Sequence, residues 1–251
     1  MKQYLILTKK DLKELFRTNR ILILTALMLF FAVSAPILTK FTPEILAMIP
    51  EFAAVEMPPV TFIDSYTGFI SDFSSVIMIG VVIIFAGSII KERTKGLYAN
   101  LLNNGVKPHW FVLAKLESQV ITLTLAYIVS MIAFIIAGQI AFGEILFSNT
   151  WVIFLSIYVY LLFAVAVVNF FGSIAKNFTL TIVYSLLFIF GTHMLNLFEF
   201  GKYLPNYLIT IAMESVTAET VSNYLLPNIG VTAILFLVIT TLTIKLISSK
   251  E

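Results

Sequence analysis

The chain has 251 residues, of which 59% are hydrophobic and 12% charged, against about 25% charged in a soluble domain. So much apolar surface exceeds what a soluble core of this size buries, and lipid is the simplest solvent for it. There is no cysteine, which excludes disulfides, Cys-ligated metals and thiol chemistry. A net charge of +2 gives no footprint for nucleic acid.

Residues 1–20 open the chain with a patterned helix. Tyr4, Leu5, Thr8, Leu12, Leu15 and Phe16 fall on one face at 100° per residue, and Lys9, Lys10, Lys13, Glu14 and Arg17 on the other. That separation predicts an amphipathic helix lying in the membrane interface. The apolar run after it is too long for a signal peptide, and Pro36 directly follows the cleavage-like Val33-Ser34-Ala35. It is read as a retained first span.

A helix needs about 20 mostly apolar residues to cross a bilayer. Charge-poor stretches of that kind place six spans at about 21–38, 66–90, 117–142, 150–172, 178–197 and 228–246. Two long segments separate spans on one side. Residues 39–65 carry Glu44, Glu51, Glu56, Asp64 and the prolines Pro43, Pro50, Pro58 and Pro59; residues 198–227 carry Glu199, Glu214 and Glu219 with an apolar stretch at Tyr207–Met213. Segments this long usually have structure or function of their own, and the apolar parts suit short re-entrant helices packed on protein. The sequence therefore predicts one all-α integral membrane domain over residues 1–251.

Lys and Arg set orientation. With the N terminus inside, 14 of the 16 cations lie in inside segments, and only Lys40 and Lys202 fall outside. An even number of spans returns the C terminus to the same side. The expectation is a multi-pass protein of the cell membrane with both termini cytoplasmic.

The inside segment 91–116 is polar and punctuated. Leu97, Tyr98, Leu101 and Leu102 form one stripe on a helix of about two turns. Asn103-Asn104-Gly105 stops it, with Gly105 suited to the left-handed position after a helix. Pro108 suits the first turn of the next helix, which runs through Trp110 and Lys115 into the third span. The stripe is either a docking surface or an interfacial helix resting on lipid.

Lys91-Glu92-Arg93, Gly96-Leu97, Leu101-Leu102, Val106-Lys107 and Lys115 together resemble the signature of ABC type-2 transporter permeases, the six-span membrane subunits of ATP-driven exporters. The resemblance covers the whole chain and includes the amphipathic leader, which matches the family's elbow helix. It implies that 91–116 holds a coupling helix that fits a groove on an ATP-binding subunit. Glu92, Arg93, Gly96, Leu97, Tyr98, Leu101 and Leu102 would carry that contact, with Glu92 and Arg93 anchoring either the elbow or the partner. It also implies a second permease copy or a homologue. This chain would bind no cofactor, and ATP and Mg would sit in the partner subunit.

No G-x-x-x-x-G-K-[ST] loop and no H-E-x-x-H occurs, so no catalytic role is expected. His109 and His193 fall on opposite predicted sides and cannot share a metal. Polar groups within spans often face a pathway, which makes Asp72, Gln139, Asn169, His193 and Asn196 candidates. Helix–helix bonding is the alternative, above all for Asn169 and His193. The Phe-, Leu- and Ile-rich spans favour an amphipathic or hydrophobic cargo, such as a peptide, lipid-linked molecule or drug, over a small ion. A secondary transporter or channel not coupled to ATP is the rival reading. It lacks support from inverted repeats or buried charges in broken spans.

Overall fold

A computed structural model describes residues 2–49, 59–143, 149–218 and 220–249. Helix α1 (Lys2–Arg17) precedes α2 (Arg20–Ala47), and Asn19 makes the corner between them with φ 57°. Asn tolerates this left-handed conformation better than most residues. The second membrane-length helix is built in three parts: α3 (Phe62–Asp72), a π-helical turn (Phe73–Ile77) and α4 (Met78–Thr94). Short α5 (Leu97–Asn103) follows, then α6 (Pro108–Phe142), α7 (Thr150–Ile174) and α8 (Phe178–Gly191). Two 3₁₀ turns (Thr192–Leu197 and Glu199–Tyr203) lead to α9 (Tyr207–Thr217) and α10 (Leu225–Ser248). Among the described residues there is no strand.

Six helical stretches are long and apolar enough to cross a membrane, in the order expected. Their ends run further than the charge-free stretches suggest. The first continues past Leu38 to Ala47 and takes Pro36 and Pro43 inside the helix. The second starts at Phe62, because the backbone N–H of Thr61 donates to Asp64 Oδ2 at 2.7 Å and caps the helix there. The positions Pro50, Glu51, Glu56, Pro58 and Glu219 lie outside the described residues.

Helix α7 is apolar all round and mostly buried, as a central helix should be. It packs against α4, α8, α9 and α10, while α2 lies along α6. Helices α2, α8 and α10 leave wide apolar faces exposed, including Phe30, Leu187 and Leu237. These suit lipid, where apolar side chains are solvated as well as in a core.

The segment between α8 and α10 folds back on the bundle. Leu208, Ile211 and Ala212 of α9 are buried, and α9 packs on α7 and α3. Two buried amides hold this fold-back. Asn206 Nδ2 donates to the Ile189 carbonyl at 3.2 Å, and Asn228 Nδ2 donates to those of Lys202 and Leu204 at 3.0 and 2.8 Å.

Helix α6 has 35 residues and is therefore about 52 Å long, against a hydrocarbon core of about 30 Å. Its first turns reach beyond the apolar layer, and α1 packs against it. The face that α1 buries overlaps the face periodicity predicts, at Tyr4, Thr8, Leu12 and Leu15, but is rotated from it. Leu7, Thr8, Asp11 and Leu15 are turned inward, while Leu5, Ile6 and Phe16 stay exposed. Asp11 is turned inward to its ion pair with Lys115, at 2.7 Å. A second apolar stripe is left outward for lipid or a partner.

Candidate functional site at the α5 end of the bundle

Gly96 turns the chain out of α4 with φ 69°, and Gly105 turns it out of α5 with φ 75°. At the second turn Gly105 N–H donates to the Leu102 carbonyl at 2.8 Å and Val106 N–H to that of Leu101 at 3.1 Å. This double closure with glycine in the left-handed position is a Schellman motif. Pro108 then takes the first turn of α6, where its missing N–H costs nothing. The helix–turn–helix expected from 91–116 is present.

Three side chains fix this insert to the bundle. Glu92 is buried and accepts from Lys115 Nζ at 2.6 Å and Lys10 Nζ at 2.8 Å, both on Oε1. Lys115 also donates to Asp11 Oδ1 at 2.7 Å. One ammonium thus joins α4, α6 and α1. The cost of burying these charges is offset only while the set is complete. Burial pushes the Asp11 carboxyl above the usual carboxylate range, with Lys115 pulling it back and Glu92 adding to the rise. Glu92 Oε2 has no hydrogen-bond partner among the described residues.

Arg93 does a different job. Its Nη1 donates to the carbonyls of Gly172 and Ser173 at 2.9 and 2.6 Å, in the last turn of α7, where helices leave carbonyls to be satisfied from outside. A cation there also complements the helix dipole.

Tyr98 is the third. Its ring lies 5.0 Å from that of Phe111, in a small core with Ile89, Val112 and Ile247. Its hydroxyl donates to the Ile247 carbonyl at 3.4 Å. The stripe on α5 is therefore shared: Tyr98 faces the chain's own helices, and Leu101 and Leu102 pack partly against that core. Leu97 points outward, 46% exposed, beside exposed Gly96, Ala99, Asn100 and Asn103. A hollow of about 550 Å³ between α5 and the turn into α6 is lined by Leu102, Asn103, Val106 and Lys107.

Helix α1 reaches the same place. Gln3 Nε2 donates to the Gly105 carbonyl at 3.4 Å, and Thr8 Oγ1 to Glu117 Oε2 at 2.8 Å. The Tyr4 and Trp110 rings lie 5.3 Å apart. Carboxylate oxygens of Asp11, Glu14 and Glu92 come within 4.8 Å of one another. Lys115 and Lys10 already neutralise Asp11 and Glu92, so the group is an ion-pair network. Sequence reasoning missed Asp11 entirely and gave Lys115 no role. The available signal was that Asp11 shares a face with Leu7, Thr8 and Leu15.

The five candidate pathway residues are dispersed, and among the described residues no hydrogen bond joins any two of them. Asn169 is buried and pairs with Gln119, Nδ2 to Oε1 at 2.6 Å, across α7 and α6. His193 Nε2 bonds the Tyr160 hydroxyl at 3.0 Å. Gln139 is exposed and donates to the Gly143 carbonyl of its own helix end at 3.4 Å. Asn196 has a buried Oδ1 with no hydrogen-bond partner among the described residues. Asp72, half-buried, directly precedes the π-helical turn, a kind of irregularity frequent at functional sites. An apolar cleft of about 650 Å³ opens between α6 and α7, lined by Tyr127, Met131, Ile135, Trp151, Phe154 and Tyr158. Its hydroxyls are already used: Tyr127 donates to the Phe154 carbonyl at 2.8 Å, and Tyr158 bonds Thr124 at 2.7 Å.

Six membrane-length helices and a capped, anchored helix outside them define a multi-pass membrane protein. The chain belongs to the ABC-2 family of transporter proteins: residues 61–245, well over half of its length, match the family described as "ABC-2 family transporter protein". The matched segment begins just before α3, so α1 and α2 precede it. No curated protein matches the chain.

Proposed function

We propose that this chain is the transmembrane subunit of an ATP-driven exporter and that a separate ATP-binding subunit docks on α5. The observation that carries the reading is α5 itself. It is a short helix with Leu97 free on its outer side and Glu92, Arg93 and Tyr98 fastening its base to α1, α6, α7 and α10. Force applied to such a helix passes into the spans, because each fastening is a direct bond or a packed ring. Closing and opening of the partner would then rock these helices as a unit, with α1 moving along at the membrane surface as the elbow. ATP and Mg would be held by the partner.

Two permease copies, or this chain and a homologue, would enclose the pathway. The apolar cleft between α6 and α7, whose hydroxyls are internally satisfied, supports an amphipathic or hydrophobic cargo, a peptide among them. The 14-to-2 division of cations supports a cell-membrane protein with both termini and α5 in the cytoplasm.

Two experiments test this. The chain purified alone in detergent should release no phosphate from ATP; steady turnover without another subunit would sink the reading. In this cysteine-free chain, a Cys replacing exposed Glu199 should react with an impermeant thiol reagent in intact cells, and one replacing Asn103 only after permeabilisation. The reverse pattern would overturn the orientation.

A further inference from the structure

The α5 end holds a second set of cations that are without ion-pair carboxylates among the described residues. Arg20, Lys91, Arg93, Lys95 and Lys176 have no carboxylate oxygen within 4.0 Å among the described residues; the ion pairs found there are those of Lys10 and Lys115. Among the described residues, Lys91 feels the like charges of Arg20 and Lys95, opposed by Glu14. Its ammonium sits 5.2 Å from the centre of the Phe178 ring, at the start of α8. Cations in excess of nearby carboxylates in this way favour an anion that reaches them.

Two of these cations, Arg93 and Lys176, line a cleft of about 450 Å³ together with Thr94, Tyr98 and Ile174. Among the described residues, the hydrogen bonds found for the Arg93 guanidinium are the two that Nη1 makes to α7, and Arg93 lines the cleft. Lys176 is exposed. The cleft is formed where α4 ends at Thr94, α7 ends at Ile174 and α8 begins at Phe178. Three membrane-length helices terminate there, which is the level of lipid headgroups. Ile174, 43% exposed, gives the polar mouth an apolar flank.

We propose that this cleft binds the phosphate of an anionic membrane lipid, with Arg93 and Lys176 as direct partners and Lys91, beside Phe178, adding to the positive field around it. A guanidinium matches phosphate oxygens in geometry as well as charge. The apolar flank and the position at three helix ends select a lipid phosphate over a soluble one. The bound headgroup joins the α4–α5 corner to the α7–α8 corner, so anionic lipid stiffens the base of α5. The site stands independently of which partner docks on α5.

The test uses the full chain in neutral detergent, titrated with phosphatidylglycerol or phosphatidylcholine of matched acyl chains and read by native mass spectrometry. Wild type should hold phosphatidylglycerol in preference. Lys91→Gln/Lys176→Gln should lower that affinity by roughly tenfold or more, at about fivefold per cation near an anionic surface. Lys176→Arg should retain it. The charge-matched control Lys9→Gln/Lys13→Gln, on the exposed side of α1, should leave it unchanged. If the double variant is not monodisperse, Lys176→Gln alone is read, with about a fivefold loss expected. No preference for phosphatidylglycerol, or an equal loss in the control, would overturn the site. Displacement of the lipid by millimolar inorganic phosphate would overturn the lipid assignment.

Discussion

At the α5 end, Lys115 stands between Asp11 and Glu92 at 2.7 and 2.6 Å and joins three helices through one ammonium. At the opposite end, α3, α6 and α7 meet through rings. Phe134 lies 4.8 Å from Tyr66, 4.6 Å from Phe69 and 5.4 Å from Phe62, and Phe69 stacks on Phe73 at 4.2 Å. Each ring pair is worth about 0.5–1.5 kcal/mol beyond its burial, so the loss of one leaves the rest in place. The ion network has less redundancy, because removing its central cation leaves two buried carboxylates to the one remaining ammonium of Lys10, 2.8 Å from Glu92 and 3.7 Å from Asp11. The ring cluster lies wholly within the segment matching the family. The ion network instead ties that segment to α1, which precedes it. One end is a graded hydrophobic joint, and the other is an ionic latch that hinges on a single buried ammonium, beside the helix proposed to receive the partner.

The largest expected effect is therefore at Lys115. Lys115→Met should cost about 3–5 kcal/mol, the usual consequence of leaving buried charge unpaired. Thermal denaturation in detergent should show it. Tryptic cleavage at Arg17 and Arg20 should quicken as α1 loosens. Adding Asp11→Asn should recover part of the loss, because Glu92 keeps Lys10. A Lys115→Met protein that melts and resists trypsin like wild type would mean that these ions do not hold α1.

A smaller effect is expected at the ring end. Gly138 passes so close to Phe62 that an added Cβ would overlap the ring. Gly138→Leu should cost about 1–3 kcal/mol through overpacking and lower the melting temperature. It should leave cleavage at Arg17 and Arg20 unchanged. Release of α1 by this distant substitution would show the two ends to be one cooperative unit and would dissolve the comparison.

The spans were legible because charge-free length is a local property of the sequence. The turn after α5 was legible too, since Gly105 and Pro108 act through their own backbone. Helix ends were less so. Nothing apolar signals that α2 continues to Ala47, and Asp64 opens α3 through a cap, against the hydropathy trend. Long-range partners were hidden. Asp11 and Lys115 are separated by 104 positions, and charge in the leader read as a solvated face. The α5 stripe shows a further limit. Periodicity places Leu97, Tyr98, Leu101 and Leu102 together, but it does not say which cover comes from the chain itself. The structure gives Tyr98 to the chain's own core and leaves Leu97 outside.

That exposed leucine allows the most direct test of the proposal that α5 receives the ATP-binding subunit. Leu97→Asp should leave melting temperature and monodispersity unchanged, because the side chain already faces outward. If Leu97 is buried in the partner, the variant loses about 1.5–3 kcal/mol of apolar burial and adds an unpaired charge to the interface. Affinity for the ATP-binding subunit, measured by pull-down or titration in detergent, should fall at least tenfold, and export should fall with it. A well-folded Leu97→Asp protein that retains the ATP-binding subunit fully and exports normally would contradict the account.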